Sequence, residues 1–411
     1  MSVATELDFG PVRDVFAKGL RKQGVGGAAF AATVDGRQVV SVWGGVVRPG
    51  VAWQEDTPAV TMSVTKGWAA MCLQVLVDRG QLDVDALVGD YWPEYGCYGK
   101  ERTTVRHVLN HSAGVPGLPD SPSLIGWDGS GWEDLDAITS RLAASTPVWE
   151  PGTVSGYHAV TYGWLVGEIV RRITGRTLGQ FFASEIAGPL GIKSAIGVGP
   201  ERMAEVAEVI PSDLFSAPFP LKPLINKVNA AMRTPETLLG QAFLADGTRS
   251  IMDAHELLRS RGFFKAEIPS SNGISSAADL ARLYAVLACQ GEVDGVRILS
   301  PEVVAQFSTH ELTTGDAVFE RSCDFFGGSL LTKKIKIVKS LGYTLNQPAS
   351  GKPRYGPDPS AFGSEGAGGQ LAFADPGRRI SVGFVRSGLS SSPTFTLQLV
   401  DALYRCLDGR A

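Results

Sequence analysis

Two strand–turn–strand signals stand at opposite ends of this 411-residue chain, and they constrain its fold more than anything between them. Near the start, an apolar run over 28–34 is followed by Asp35-Gly36 and a second run over 39–43. Asp-Gly between two such runs is a strong hairpin signal. Near the end, runs over 371–374 and 380–385 flank a turn at Asp375-Pro376-Gly377. Val12, Val15, Phe16 and Leu20 precede the first hairpin at helical spacing, and a periodic stretch over 396–407 follows the second. Between the hairpins the apolar spacing is helical over about 63–79, 157–173 and 276–287. We therefore expect an α+β fold: an antiparallel sheet flanked by terminal helices, with an inserted, mostly helical lobe. The expected boundaries are 1–62 with 275–411 for the discontinuous sheet lobe and 63–274 for the helical lobe, with the active site between them. A loop over 115–132 is too long for a plain connector and is expected to cover a pocket. The segment 200–265 has no readable pattern.

Composition narrows the function classes. Hydrophobic content of 44% and charged content of 19% describe a globular chain that can bury a sizeable core. A net charge of −4 without a Lys/Arg run gives no reason to expect nucleic acid. The first ten residues have neither a basic start nor an apolar core, and no apolar stretch approaches a membrane span. Cys72, Cys97, Cys289, Cys323 and Cys406 are scattered and odd in number, which fits free thiols in a reducing compartment. The expectation is a cytoplasmic protein with no membrane or nucleic-acid partner; its oligomeric state stays open.

The chemistry starts at Ser63-Val64-Thr65-Lys66. Residues i and i+3 share a helix face, so hydroxyl and amine can meet. A serine hydroxyl needs a base beside it, and a lysine serves only if burial or neighbours lower its pKa. The start of a helix adds N–H groups that favour developing negative charge. Such a string alone arises often by chance, and its surroundings give it weight.

Upstream of centre stands Thr104-Val105-Arg106-His107-Val108-Leu109-Asn110-His111-Ser112-Ala113-Gly114-Val115-Pro116-Gly117. Then come Trp149-Glu150-Pro151-Gly152-Thr153-Val154-Ser155-Gly156-Tyr157-His158-Ala159 and Glu267-Ile268-Pro269-Ser270-Ser271-Asn272-Gly273. Near the end is Phe362-Gly363-Ser364-Glu365-Gly366-Ala367-Gly368-Gly369. In this order the strings resemble the class C β-lactamase-like serine hydrolase superfamily, and most of all its esterase branch, the family VIII carboxylesterases. The likeness runs over roughly 10–410. It implies a β-lactamase/penicillin-binding-protein-like fold, Ser63 as nucleophile, and Lys66 and Tyr157 as proton carriers. It also implies an oxyanion hole from the backbone N–H groups of Ser63 and Ala367. Where β-lactamases carry Lys-Thr-Gly, this chain has Ser364, Glu365 and Gly366. An acid replaces the cation that would hold a substrate carboxylate, which counts against β-lactams. Trp127, His158, Ser364, Glu365 and Gly366 are candidates for the pocket wall.

No cofactor or metal is expected. His107 and His111, four apart, could share a helix face, yet no Glu follows His107 to make a zinc motif. Neither a GxSxG elbow nor a phosphate-binding glycine loop is present. The implied activity is carboxylic ester hydrolysis of small molecules through an acyl-enzyme on Ser63. The rivals are acyl transfer in natural-product metabolism, amide or β-lactam hydrolysis, and a non-catalytic binding domain.

Overall fold

The computed structural model describes residues 8–213, 222–325, 337–346, 353–390 and 392–409. Both ends of the chain contribute to one nine-stranded sheet. Its strands are β1 (Gly27–Val34), β2 (Arg37–Arg48), β3 (Val51–Ala52), β4 (Leu312–Thr314), β5 (Ile337–Lys339), β6 (Thr344–Leu345), β7 (Phe362–Gly366), β8 (Gln370–Asp375) and β9 (Ile380–Arg386). They lie in the order β3-β2-β1-β9-β8-β7-β6-β5-β4, every neighbouring pair antiparallel. The two distant hairpins meet at its centre, with Ala28 opposite Arg386 through to Val34 opposite Ile380. This is the α+β architecture expected from the sequence.

The first strand explains why its sequence reads as an unbroken apolar run. Side chains alternate across a strand. Ala28, Phe30 and Ala32 enter one core; Ala29 and Ala31 enter the other. On the first face sit the terminal helices α1 (Gly10–Gln23) and α5 (Thr394–Leu407), where Phe395 packs edge-on to Phe384 at 5.3 Å between ring centroids. On the second face lies α4 (Ala277–Ala288), against β9, β8 and β1. Beyond it stand α2 (Thr65–Asp78) and α3 (Thr161–Thr174). Helix α2 is buried on every side from Thr65 to Leu76, so it runs through the core and carries no polar stripe. Trp68 on α2 stacks on Phe182 at 5.2 Å.

Two local expectations fail for identifiable reasons. Residues 157–160 are not helical, and α3 begins at Thr161. Tyr157 N–H is held by Asp316 Oδ1 at 3.1 Å and His158 N–H by His111 Nδ1 at 3.2 Å, bonds that draw this backbone out of a helix. His107 and His111 do not share a helix face, because the helix Val105–Leu109 stops before His111, which adopts a left-handed φ of 64°. In the segment 200–265 the described residues form helices Pro200–Glu205, Lys222–Arg233, Leu238–Ala242 and Arg261–Lys265, and a strand Ile210–Asp213 parallel to Gly388–Ser390. Apart from Lys222–Arg233, these elements carry too few turns to leave a periodic signature. No described helix is long and apolar enough to cross a membrane. Cys72, Cys97, Cys289 and Cys406 are free.

Gly67 sets how closely α2 approaches β7. A Cβ there would stand 2.2 Å from Tyr284 Oη and 2.8 Å from Ser364 Oγ. Gly67→Ala should therefore force the helix away from the sheet and cost about 1–3 kcal/mol, read as a lower urea midpoint. An unchanged midpoint would show that Tyr284 and β7 yield freely.

Candidate active site

Ser63 sits in a single 3-10 turn, Met62–Val64, that runs directly into α2. Met62, just before it, has a φ of 51°, a costly left-handed conformation for a residue with a side chain. The strain is held by a knot of polar contacts. Thr65 Oγ1 donates to Met62 O at 2.6 Å and accepts from Gly273 N–H at 2.9 Å, while Thr61 N–H donates to Gly273 O at 2.8 Å. Next to Gly273, Asn272 fixes the bracing string itself through Phe263 O, Ala266 O and Ile268 N–H. The string 267–273 thus has a mechanical role: it braces the serine turn, and its Ser270 carbonyl reaches the lysine.

Lys66 follows one turn later, 5% exposed. Its Nζ lies 3.1 Å from Ser63 Oγ and donates to Ala159 O at 2.7 Å and Ser270 O at 3.0 Å. Tyr157 Oη donates to Ser63 Oγ at 2.7 Å, and the Lys66 ammonium position is 4.8 Å from the centre of the Tyr157 ring. Hydroxyl, amine and phenol therefore converge on one oxygen.

The electrostatics suit proton transfer. Burial lowers the Lys66 amine well below its usual value, and the Lys339 charge lowers it further. A neutral amine has two N–H donors and one lone pair, which matches two carbonyls and one hydroxyl. Burial pushes Tyr157 up to about 12 against the pull of its Ser63 hydrogen bond, so it stays a neutral phenol, with Asp316 and Glu365 adding to the rise.

A cavity of about 240 Å³ opens at Ser63, lined by Lys66, Leu109, His111, Tyr157, Asp316, Phe319, Lys339, Gly342, Tyr343, Thr344, Ser364 and Glu365. Of the five wall candidates from sequence, Ser364 and Glu365 line it. Gly366 lines an adjoining groove of about 430 Å³, with Ala367 and Arg354, and the two spaces share Glu365. Gly366 is glycine because a Cβ would stand 2.5 Å from Thr61 O, so β7 can press against the serine turn. Glu365 forms an ion pair with Arg354.

Trp127 and His158 are not wall residues. Trp127 Nε1–H donates to Asp246 at 2.7 Å, away from the serine. His158 is 1% exposed, its Nε2 accepting from Val115 N–H at 3.1 Å and its Nδ1 paired with Gly156 O at 2.7 Å. Burial takes it down to about 3, and it braces the loop after the first histidine string. The loop over 115–132 helps enclose a separate cavity of about 360 Å³ with Gln241 and Leu244. The wall at Ser63 comes instead from 316–319 and 339–344, which the sequence reading passed over. Asp316 could have been noticed as a helix-start acid before Ala317–Phe325; nothing local marks Lys339 as buried.

The chain matches the Beta-lactamase family over residues 12–401. It belongs to that family. It is thus a member of the β-lactamase-fold superfamily of serine hydrolases. An esterase/beta-lactamase of Mycobacterium tuberculosis, LipL, is 32% identical over 96% of this chain and 84% of its own length. A family VIII carboxylesterase structure superposes with a TM-score of 0.79 at 32% identity, and a penicillin-binding protein homologue from Caulobacter crescentus with 0.78 at 32%; each pairing covers 97% of both chains. Among Beta-lactamase family members, then, its likeness reaches both esterases and penicillin-binding proteins. No group of His, Cys, Asp or Glu among the described residues is arranged to hold a metal.

Proposed function

We propose that the protein hydrolyses carboxylic esters of small molecules through an acyl-enzyme on Ser63. One observation carries this reading: Ser63 Oγ lies within hydrogen-bond reach of both Tyr157 Oη and Lys66 Nζ, at 2.7 and 3.1 Å, in an open cavity. The neutral Lys66 amine takes the Ser63 proton as Oγ bonds to the carbonyl carbon. Backbone N–H groups of Ser63 and Ala367 receive the negative oxygen. Collapse breaks the ester C–O bond; the Tyr157 phenol hands its proton to the departing alkoxide and recovers one from the Lys66 ammonium. Water, deprotonated by the same pair, then releases the acid. The ester-acting proteins named above support this choice of substrate.

Incubation with a fluorophosphonate probe followed by peptide mapping should place the adduct on Ser63, and 4-nitrophenyl butyrate should be turned over. Label on another serine, or nitrocefin turnover equal to ester turnover, would sink the reading. Acyl transfer uses the same residues, and partition of the acyl-enzyme between water and an added alcohol separates the two outcomes.

A further inference from the structure

One cation in the serine cavity has no partner among the described residues. Lys339, the last residue of β5, is 6% exposed, and its Nζ makes no hydrogen bond or ion pair among the described residues. Buried ammonium groups without partners are costly and rare. This one lies on the wall of the same cavity as Ser63, Lys66 and Tyr157. The adjacent Val338 enters the hydrophobic core, as alternation along the strand requires.

The remaining charges show what is left to bind. Asp316 also lines the cavity, but its Oδ1 accepts from the backbone N–H groups of Tyr157, Val318 and Phe319, and it forms no ion pair with Lys339. Glu365 is spoken for by Arg354. On the same wall, His111 Nδ1 accepts from His158 N–H, which leaves the ring proton on Nε2 as a donor with no protein acceptor among the described residues. Burial keeps this imidazole neutral. Burial brings Lys339 down to about 8 while Asp316 opposes the fall, so most of it is charged at neutral pH.

We propose that Lys339, aided by the His111 N–H, is an anion-recognition site, and that the substrate is an ester carrying a carboxylate. A monoanion fits better than a phosphate dianion, because Asp316 and Glu365 would repel a second negative charge in the same space. The cation that the Ser364-Glu365-Gly366 string lacks is thus supplied from a different strand. This assignment rests on the ester-hydrolase reading and names its substrate class.

The test compares 4-nitrophenyl butyrate with two anionic esters: mono-4-nitrophenyl glutarate, with the carboxylate on the acyl side, and 4-acetoxybenzoate, with it on the alcohol side. One of these should be preferred, and Lys339→Met should lower kcat/KM for it about 10- to 100-fold more than for its uncharged counterpart, butyrate or phenyl acetate respectively. Lys339→Arg should restore part of the preference. A monoanion shaped like the product of the preferred arm, glutaramate or 4-hydroxybenzoate, should inhibit the wild type competitively and lose that affinity in Lys339→Met and Lys339→Gln. Because the substitution removes an unpaired buried charge, Lys339→Met should melt no lower than the wild type, so a loss of preference will not reflect misfolding. If neither anionic ester is preferred, or if the preference survives in Lys339→Met, the inference falls while Ser63 labelling and butyrate turnover leave the ester-hydrolase reading standing. If Ser63 is not labelled, that reading falls first.

Discussion

Ser63→Ala should lower ester turnover by about 10⁴-fold or more and abolish fluorophosphonate labelling. The size follows from the geometry. Two groups converge on the Ser63 oxygen, with Tyr157 Oη at 2.7 Å and Lys66 Nζ at 3.1 Å. Without Oγ the amine and the phenol have nothing to activate, and no covalent intermediate forms. The change is nearly silent structurally, because the knot that holds the turn uses Thr61, Thr65 and Gly273 and leaves the Ser63 side chain out. Melting temperature should therefore stay within a few degrees of the wild type. A variant that melts normally and keeps a tenth of the activity would mean that another nucleophile does the chemistry.

The second large effect is on the proton carriers. Tyr157→Phe should cost about 10²- to 10⁴-fold in kcat, since the leaving alkoxide loses its acid. Lys66→Met should cost at least as much, since it removes the base. The pH profile separates the two roles. Lys66 must be neutral to accept the Ser63 proton, so kcat/KM should fall as pH drops through its lowered pKa. Tyr157 must keep its proton, and with its pKa at about 12 no alkaline fall should appear before pH 10 with an uncharged ester. Lys339 repels the Lys66 ammonium, so Lys339→Met should move the acid limb to higher pH. His111 and His158, also near this lysine, are kept neutral by burial and should contribute no limb of their own at neutral pH. A limb that stays in place in Lys339→Met would show that the two lysines are not coupled. With an uncharged ester, a bell with its alkaline side near 8 would assign the essential acid elsewhere.

Stability and catalysis draw on the same contacts. The carbonyls of Ala159 and Ser270 that receive the Lys66 N–H groups come from the stretch entering α3 and from the brace over 267–273. The lysine is thereby held at the distance where its lone pair faces Ser63. Tyr343 adds a second clamp, its hydroxyl 3.1 Å from both Gly67 O and Gln74 Oε1. Through it the strand carrying Lys339 is tied, by way of β6, to the helix carrying Lys66.

Much of the architecture was written in local pattern. The hairpin around Asp35-Gly36, the one around Asp375-Pro376-Gly377, and the helices at each end follow from turn chemistry and periodicity, which operate within a few residues. The serine–lysine spacing belongs to the same class: i and i+3 on a helix must meet, whatever surrounds them. Tyr157 was named through a family resemblance, and its hydroxyl does reach Ser63 across 94 positions of chain. Local reasoning failed where a distant side chain captured the backbone. His111 Nδ1 and Asp316 Oδ1 hold residues 157 and 158 out of the helix that their spacing suggested.

The order of strands, the convergence of 63, 66 and 157, and the charge balance of the cavity differ in how far they could be foreseen. Neighbouring residues dictate turns, caps and helix faces, because those depend on torsions and contacts within a few positions. Burial does not work that way. Lys339 ends a short strand as surface lysines commonly do, and the packing of β5 between β4 and β6, with the 316–319 segment beside it, removes it from water. Desolvation depends on everything that covers a group, and the covering residues here come from widely separated parts of the chain. For that reason the serine and lysine proposed as nucleophile and base were visible in a string of four letters, while the buried cation became visible only once the chain had closed around it.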